Sequence, residues 1–288
     1  MRVILIGKNG QLGKAIRNLT DLNEHNHNFT FVGRETLDLS IDDNIQDYFE
    51  NNEFDIIINC AAYTNVDKAE KEPEAANQVN HLAVSRLSHV ANKHKAKLIH
   101  ISSDYVFDGE SNKPYFENDK TNPINTYGMT KLFGEQALLK IMPSNAMIIR
   151  TSWVYSEHGN NFVNTMLKLG KLKNEINVVC DQIGSPTNST DIARDILKII
   201  NNKKYKNNIF PTEIYHYSNL GEVSWNDFAE EIFRISKLKC KVIPIKSSDY
   251  LTPAKRPLNT VMNKEKISKE FNLDLKFWRD SLQKSLTN

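Results

Sequence analysis

This sequence predicts an α/β protein built on a doubly wound parallel sheet, with a smaller C-terminal α/β unit. Three observations carry that expectation. Apolar runs of strand length alternate with stretches of helical periodicity through the first two thirds of the chain. The first of those runs leads directly into glycines spaced by three. Beyond residue 160 the rhythm changes, and Pro186, Pro211, Pro253 and Pro257 mark loops between shorter elements.

The chain opens with Val3–Ile6, a short run of β-formers bounded by glycine, as a strand buried on both faces of a sheet requires. Phe29–Val32, Ile56–Asn59, Leu98–Ser102 and Met147–Thr151 repeat the pattern, each far enough from the last for a crossover helix. Ala75–Asn92 and Tyr127–Leu139 carry apolar residues three and four apart, as helices packed on a sheet face do. Ser224 and Asp227 form the capping box of a helix through Phe233, and "DLKFWRDSLQKSL" (274–286) reads as a terminal amphipathic helix. The division expected is a Rossmann-like NAD(P)-binding domain over 1–160, its sheet completed by parts of 161–220. A largely substrate-binding domain over 161–288 is interleaved with it.

Composition excludes several classes of function. Lys and Arg number 37 against 35 Asp and Glu, interspersed to a net charge of +2, so no basic patch for nucleic acid is expected. The first apolar stretch ends at Gly7 and Lys8, too short for a secretory signal, and no segment approaches the roughly 18 apolar residues of a membrane span. A cytoplasmic protein with no membrane partner is expected. Cys60, Cys180 and Cys240 are widely spaced and read as small core residues rather than a disulfide framework or zinc site. The eight histidines show no metal-ligand spacing, so no metal is expected, and His100, between Ile99 and Ile101, reads as a satisfied core residue.

Gly7, Gly10 and Gly13 in "GKNGQLG" lie between a buried strand and a helical pattern of Leu12, Ala15, Ile16 and Leu19. Such a turn either brings backbone amides at a helix N-terminus onto a pyrophosphate or uses glycine for tight packing alone. The strand and helix on either side favour the first. In "YGMTK", Tyr127 and Lys131 lie one helical turn apart on one face, and of the ten tyrosines only Tyr127 has lysine four residues later. A phenol of pKa about 10 is a poor acid–base group at neutral pH, and a neighbouring ammonium brings it toward the working range. "HISSDYVFDG" ends another strand with Ser102 and Ser103. Ligands bind beyond the carboxyl ends of parallel strands, so Ser103, Tyr127 and Lys131 can converge on one carbonyl.

This Ser–Tyr–Lys set with a GxxGxxG turn resembles the extended branch of the short-chain dehydrogenase/reductase superfamily. "GKNGQLG", "NCAAYTNVDKAE", "SSDYVFDG", "PINTYGMTKLFGE", "RTSWVY", "GNNFVNTML", "DQIGSPT" and "TPAKRPLNT", taken in order, resemble the dTDP-4-dehydrorhamnose reductase family over nearly the whole chain. The resemblance implies NAD(P)H-dependent reduction of the 4-keto group of dTDP-4-dehydro-6-deoxy-L-mannose to dTDP-L-rhamnose, in deoxysugar and cell-surface polysaccharide biosynthesis. It implies a dTDP-deoxyhexulose substrate, a 3,5-epimerase as functional neighbour, and a monomer or homodimer.

By the same resemblance Tyr127 donates a proton to the C4 oxygen, Lys131 hydrogen-bonds the nicotinamide ribose and biases Tyr127, and Ser103 holds the carbonyl oxygen. Gly7, Gly10, Gln11, Leu12 and Gly13 match the pyrophosphate turn, Asp38 and Leu39 the adenine contact, and Ala61, Ala62, Tyr63 and Thr64 the loop beneath the cofactor. Ser103, Asp104, Tyr105, Trp153, Asn161 and Arg256 match the contacts to the sugar nucleotide. Ser103 stands where threonine is commoner, and Tyr63 where a smaller polar or imidazole residue is usual, so a backbone contact is expected there. Nucleotide-sugar dehydratases of the superfamily carry a glutamate where Tyr105 follows Asp104 here. Another nucleotide-deoxysugar 4-ketoreductase would need the same groups. An NADP-binding regulatory subunit resembling that of methionine adenosyltransferase shares many motifs, and an intact Ser103, Tyr127 and Lys131 disfavours it.

Cofactor choice turns on the residues after Phe29–Val32. Gly33 is followed by Arg34, a base suited to a 2′-phosphate, and then by Glu35, an acid suited to ribose hydroxyls. Arg34 comes first, so NADPH is expected, with NADH also used. Trp153 follows a buried strand and reads as core or, by resemblance, as a ring facing the sugar. Lys255 and Arg256 read equally as ligands of a diphosphate or as a solvated loop, and Asp67, Lys68, Glu70 and Lys71 as charged helix surface.

Overall fold

All five expected strands form, as β1 (Arg2–Ile6), β2 (Asn28–Val32), β3 (Ile56–Asn59), β4 (Lys97–Ser103) and β5 (Ala146–Thr151). The computed structural model describes residues 1–22, 27–206 and 209–287. A sixth strand, Glu213–Tyr217, completes the sheet beyond β5, in the order β2-β1-β3-β4-β5 and then Glu213–Tyr217. Every pairing is parallel, from Arg2↔Asn28 at one end to Tyr217↔Thr151 at the other. The chain is therefore the α/β, doubly wound protein expected.

Alternation along the strands explains the layering. Val3 and Leu5 pack with Ile56, Ile58, Ile99 and Ile149 on one face, and Ile4 and Ile6 with Ile57, Leu98 and Ile148 on the other. Helices cover both faces, so strand centres such as Val3–Ile6 and Ile56–Ile58 are apolar toward both, as parallel sheets demand. Against the first face lie α1 (Gln11–Leu22), through Leu12, Ala15 and Ile16, and the helix Ser189–Asn201. The second face takes α2 (Asn44–Glu50), through Ile45 and Phe49, together with Val84, Leu87 and Leu138 from further along the chain.

Beyond β3 the chain makes a short α3 (Val66–Ala69). The single helix expected over Ala75–Asn92 is realised as α4 (Pro73–Asn77), a π-helical turn (Gln78–Leu82) and α5 (Ala83–Lys93). Such a turn has a local cause here. It carries buried Asn80, whose amide donates to the Tyr63 carbonyl and the Thr130 hydroxyl. Next, α6 (Thr126–Ile141) extends the second helix expected by one residue at its start and two at its end.

A third apolar cluster joins Val163 and Met166 of Phe162–Leu172, Phe228, Ile232 and Phe233 of Trp225–Ile235, and Trp278 and Leu282 of the last helix. Ser224 caps Trp225–Ile235 as expected, accepting from the Asp227 amide at 3.0 Å. The terminal helix, however, starts at Trp278 rather than Asp274. Lys276 and Trp278 hydrogen-bond across to Leu220, which holds residues just before the helix in an extended path.

The cysteines divide. Cys240 is buried and Cys60 packs partly buried against the first apolar cluster, as expected, whereas Cys180 is partly exposed. Cys60 closes the β3 ladder by donating to the Ile6 carbonyl, which leaves it at the rim where the sheet ends. Among the described residues, no helix is long and apolar enough to cross a membrane, and no group of three or more His, Cys, Asp and Glu is placed to hold a metal ion.

Candidate active site

Strand order reverses between β1 and β3, and a cavity of about 980 Å³ opens beyond their carboxyl ends, as the topology requires. Of the expected site residues, all line it except Gly13 and Arg256.

The glycine turn forms its first wall. Gly7 has φ +93°, a conformation that costs other residues strain, and its amide and that of Lys8 both donate to the Val32 carbonyl. Gly13 does not face the cavity because it packs on Gly7, where a Cβ would collide with the Gly7 carbonyl. That contact brings the start of α1 onto the strand end. Its first amides lack acceptors inside the helix, and Gln11 and Leu12 border the open space. The Gln11 side chain is turned aside, donating to the Val154 carbonyl and accepting from Ser156 (3.0 Å) and Asn161 (2.9 Å).

At the far end of this wall Arg34 is exposed and donates to Asp38 at 2.9 Å, while Asp38 also accepts from the Ser40 amide and hydroxyl. Glu35 pairs with Lys8 at 2.6 Å. The expected backbone contact at Tyr63 is narrowed. Asn80 takes the Tyr63 N–H at 2.8 Å and donates to its carbonyl, and the phenol donates to Glu72.

Tyr127 sits in the first turn of α6, which several residues anchor. Asn125 accepts from the Gly128 amide at 2.8 Å. Glu70, read from sequence as helix surface, accepts from both the amide and hydroxyl of Thr126. Gly128 allows the helix to touch the following turn of β4, where a Cβ would collide with the Tyr105 carbonyl. The Tyr127 ring meets Tyr105 edge to face, with centroids 5.7 Å apart.

The electrostatics differ from the sequence expectation. Tyr127 is half-buried on the cavity wall, and burial pushes its pKa up to about 12 against the pull of the Ser103 hydroxyl. Lys131 is not among the groups that move it. Its ammonium is drawn below the strand edge, donating to the Ile101 carbonyl at 2.7 Å and facing His100 at 3.5 Å. Burial lowers Lys131 to about 8, with Glu135 and Cys60 pulling upward. Asp104 is fully buried and pushed up to about 6. Its Oδ1 accepts from Ser103 at 2.9 Å, and the buried Thr260 hydroxyl also draws its pKa down, against the burial that raises it.

The opposite wall is aromatic. Trp153, at φ +47°, stacks on Trp225 with centroids 3.4 Å apart and planes within 7°. Arg256 lies outside the lining because Asp67 holds its guanidinium on two bonds, at 3.0 and 2.7 Å. Asp67 also accepts from the Ala254 amide. Asp67 and Glu70 are therefore struts between elements, correcting their reading as solvated surface. The sequence reading missed Trp225 and the lysine-facing role of His100, because neither pattern marks what lies opposite in space.

These residues fit a dinucleotide. The free first amides of α1 suit a pyrophosphate, Gly10 leaves room beside them, and Arg34 lines the same cavity as a cation suited to a phosphate. The pattern of the RmlD substrate binding domain family matches residues 1–288. The chain belongs to that family. The dTDP-4-dehydrorhamnose reductase of Sinorhizobium fredii is 38% identical over 288 residues, 99% of this chain and 96% of the relative. A dTDP-4-dehydrorhamnose reductase structure from Clostridium acetobutylicum has a TM-score of 0.91 at 36% identity, covering 99% of this chain and 98% of that one. Its counterpart from Bacillus anthracis, solved in complex with NADP, has a TM-score of 0.91 at 37% identity and the same coverage. This RmlD-family chain thus shares its whole fold with solved reductases.

Proposed function

We propose that this chain reduces the 4-keto group of dTDP-4-dehydro-6-deoxy-L-mannose to dTDP-L-rhamnose with NADPH, accepting NADH less well. The observation that carries the reading is Tyr127, Lys131 and Ser103 lining one crevice with the glycine turn of α1. When bound, the nicotinamide supplies the hydride that reduces C4. Tyr127, protonated at neutral pH, gives its proton to the C4 oxygen as negative charge develops there. Lys131 keeps hydrogens free for the ribose hydroxyls while its Ile101 bond fixes its position. Ser103 keeps its proton and turns its O–H hydrogen bond from Asp104 to the carbonyl oxygen, and the buried Asp104 accepts from a sugar hydroxyl in exchange.

Trp153 and Trp225 offer an apolar face to the deoxyhexose, and Asn161 orders the adjoining loop through Gln11. Residues 1–160, with the Glu213–Tyr217 strand, hold the dinucleotide, and 161–288 largely hold the sugar. The relatives named as dTDP-4-dehydrorhamnose reductases support this substrate. The reaction belongs in the cytoplasm, beside a 3,5-epimerase that supplies the ketosugar, with the enzyme a monomer or homodimer. Supplying dTDP-4-keto-6-deoxyglucose with a 3,5-epimerase and following NADPH absorbance tests it. Conversion to a rhamnosyl nucleotide is expected, and NADPH consumption that stays at background would overturn the assignment.

A further inference from the structure

Lys131 touches the protein through the Ile101 carbonyl and His100 Nε2, and hydrogen bonds running back to β3 decide what His100 offers it. The Ala61 amide can only donate, and Asn59 Oδ1 accepts it at 3.1 Å. That fixes the Asn59 side chain with its NH₂ toward His100 Nδ1, 3.2 Å away. An NH₂ there requires a lone pair, so Nδ1 is bare and the neutral ring carries its proton on Nε2, aimed at Lys131. His100 is completely buried, and desolvation together with Lys131 holds its pKa well below the usual value, so the ring stays neutral.

An amine lone pair accepts this N–H, whereas an ammonium has none and opposes it. As an amine, Lys131 donates to Ile101, accepts from His100 and keeps one hydrogen for a ribose hydroxyl. We propose that Asn59 and His100 are a positioning pair that presents an N–H to Lys131, favours its amine form and so sets the pH at which the lysine titrates. The proposal rests on the ketoreductase reading above.

Other groups face the lysine from each neighbouring element. Glu135 on α6 lies one turn on but is engaged by Arg150 on three bonds and by Ser102. Cys60 at the end of β3 is held neutral, its thiol pushed up to about 12 by burial. Tyr127, one turn before, is protonated. The donor presented by His100 therefore acts against Glu135. An ammonium poised this way yields its proton readily and leaves the amine that His100 favours, so the charged form on which we place reduction is lost as pH rises.

Long-range ¹H–¹⁵N correlation of ring-labelled histidines in the intact protein reads the tautomer directly. A neutral His100 with its proton on Nε2 is expected, and a proton on Nδ1 or an imidazolium would overturn the pair, whether or not the chain reduces a ketosugar. Asn59→Asp keeps an acceptor for Ala61 but turns the ring over, giving Lys131 a lone pair. Reduction is lost as pH rises and the ammonium disappears, so the basic limb of kcat/KM should move to higher pH by about one unit, tenfold in the protonation equilibrium. In a His100→Leu background the same substitution should move it far less. An equal move there would assign the effect to the new carboxylate and reject the pair. A wild type without ketosugar reduction would sink the proposed function while leaving the ring spectrum to judge Asn59 and His100.

Discussion

The two walls of the crevice are held by different kinds of contact. On the nucleotide side, the turn of Gly7, Gly10 and Gly13 is secured by neighbours in sheet register, with Gly7 and Lys8 bonded to Val32 and Cys60 bonded to Ile6. On the sugar side, Gln11 meets Asn161 across 150 residues of chain, Asn125 meets Lys255 across 130, and Asp67 meets Arg256 across 189. The first wall is a property of the parallel sheet and its glycine turn, and the second depends on loops brought together from far apart in the chain. Substitutions on the first should therefore act on chemistry and dinucleotide, and those on the second on the sugar nucleotide.

The largest separation between the two should come from Tyr127→Phe. Turnover is expected to fall about 10³-fold, with NADPH affinity held within about twofold, by steady-state kinetics and fluorescence titration. Undiminished turnover would remove the phenol from its role.

Asp104→Asn should sharpen the comparison through stability. The folded Asp104 has its pKa raised from 3.8 to about 6, so the fold prefers the protonated form. The residue therefore costs stability above pH 6, and the cost fades as pH falls through about 6 toward 4. The variant should be more stable than wild type by on the order of 1–3 kcal/mol at pH 8, with the gain vanishing near pH 4. Thermal unfolding at both pH values checks the sign, and a gain that grows toward low pH would refute it.

Trp225→Ala tests the second wall. Losing the partner of Trp153 should raise KM for the sugar nucleotide about tenfold, within the range of one aromatic pair, and leave KM for NADPH in place. A rise confined to NADPH would break the division of labour. The smallest effect expected is Arg34→Ala, which should cut the preference for NADPH over NADH about fivefold by removing one exposed charge from a phosphate. An unchanged ratio of the two kcat/KM values would place the phosphate elsewhere.

What could be read from the sequence follows the same line. Strands β1 to β5, the glycine turn and the pairing of Tyr127 with Lys131 are set by periods of two and 3.6 residues, and each lay where expected. The beginning of the last helix did not, because Leu220 pulls the preceding residues into a bridge that local pattern does not encode. Asp67 and Glu70 looked like solvated charges, since nothing near them reveals Arg256 or Thr126. The lysine lay one turn from the tyrosine as expected, yet its charge is turned toward Ile101, a partner that only the sheet supplies.

The strand Glu213–Tyr217 enters the sheet long after β5 has been made. Until the ribosome has released residues past 217, β5 presents a bare row of amides and carbonyls flanked by Ile148 and Ile149. A chain that ends before residue 213 leaves that edge unpaired, and such a fragment is expected to aggregate rather than serve as a working half.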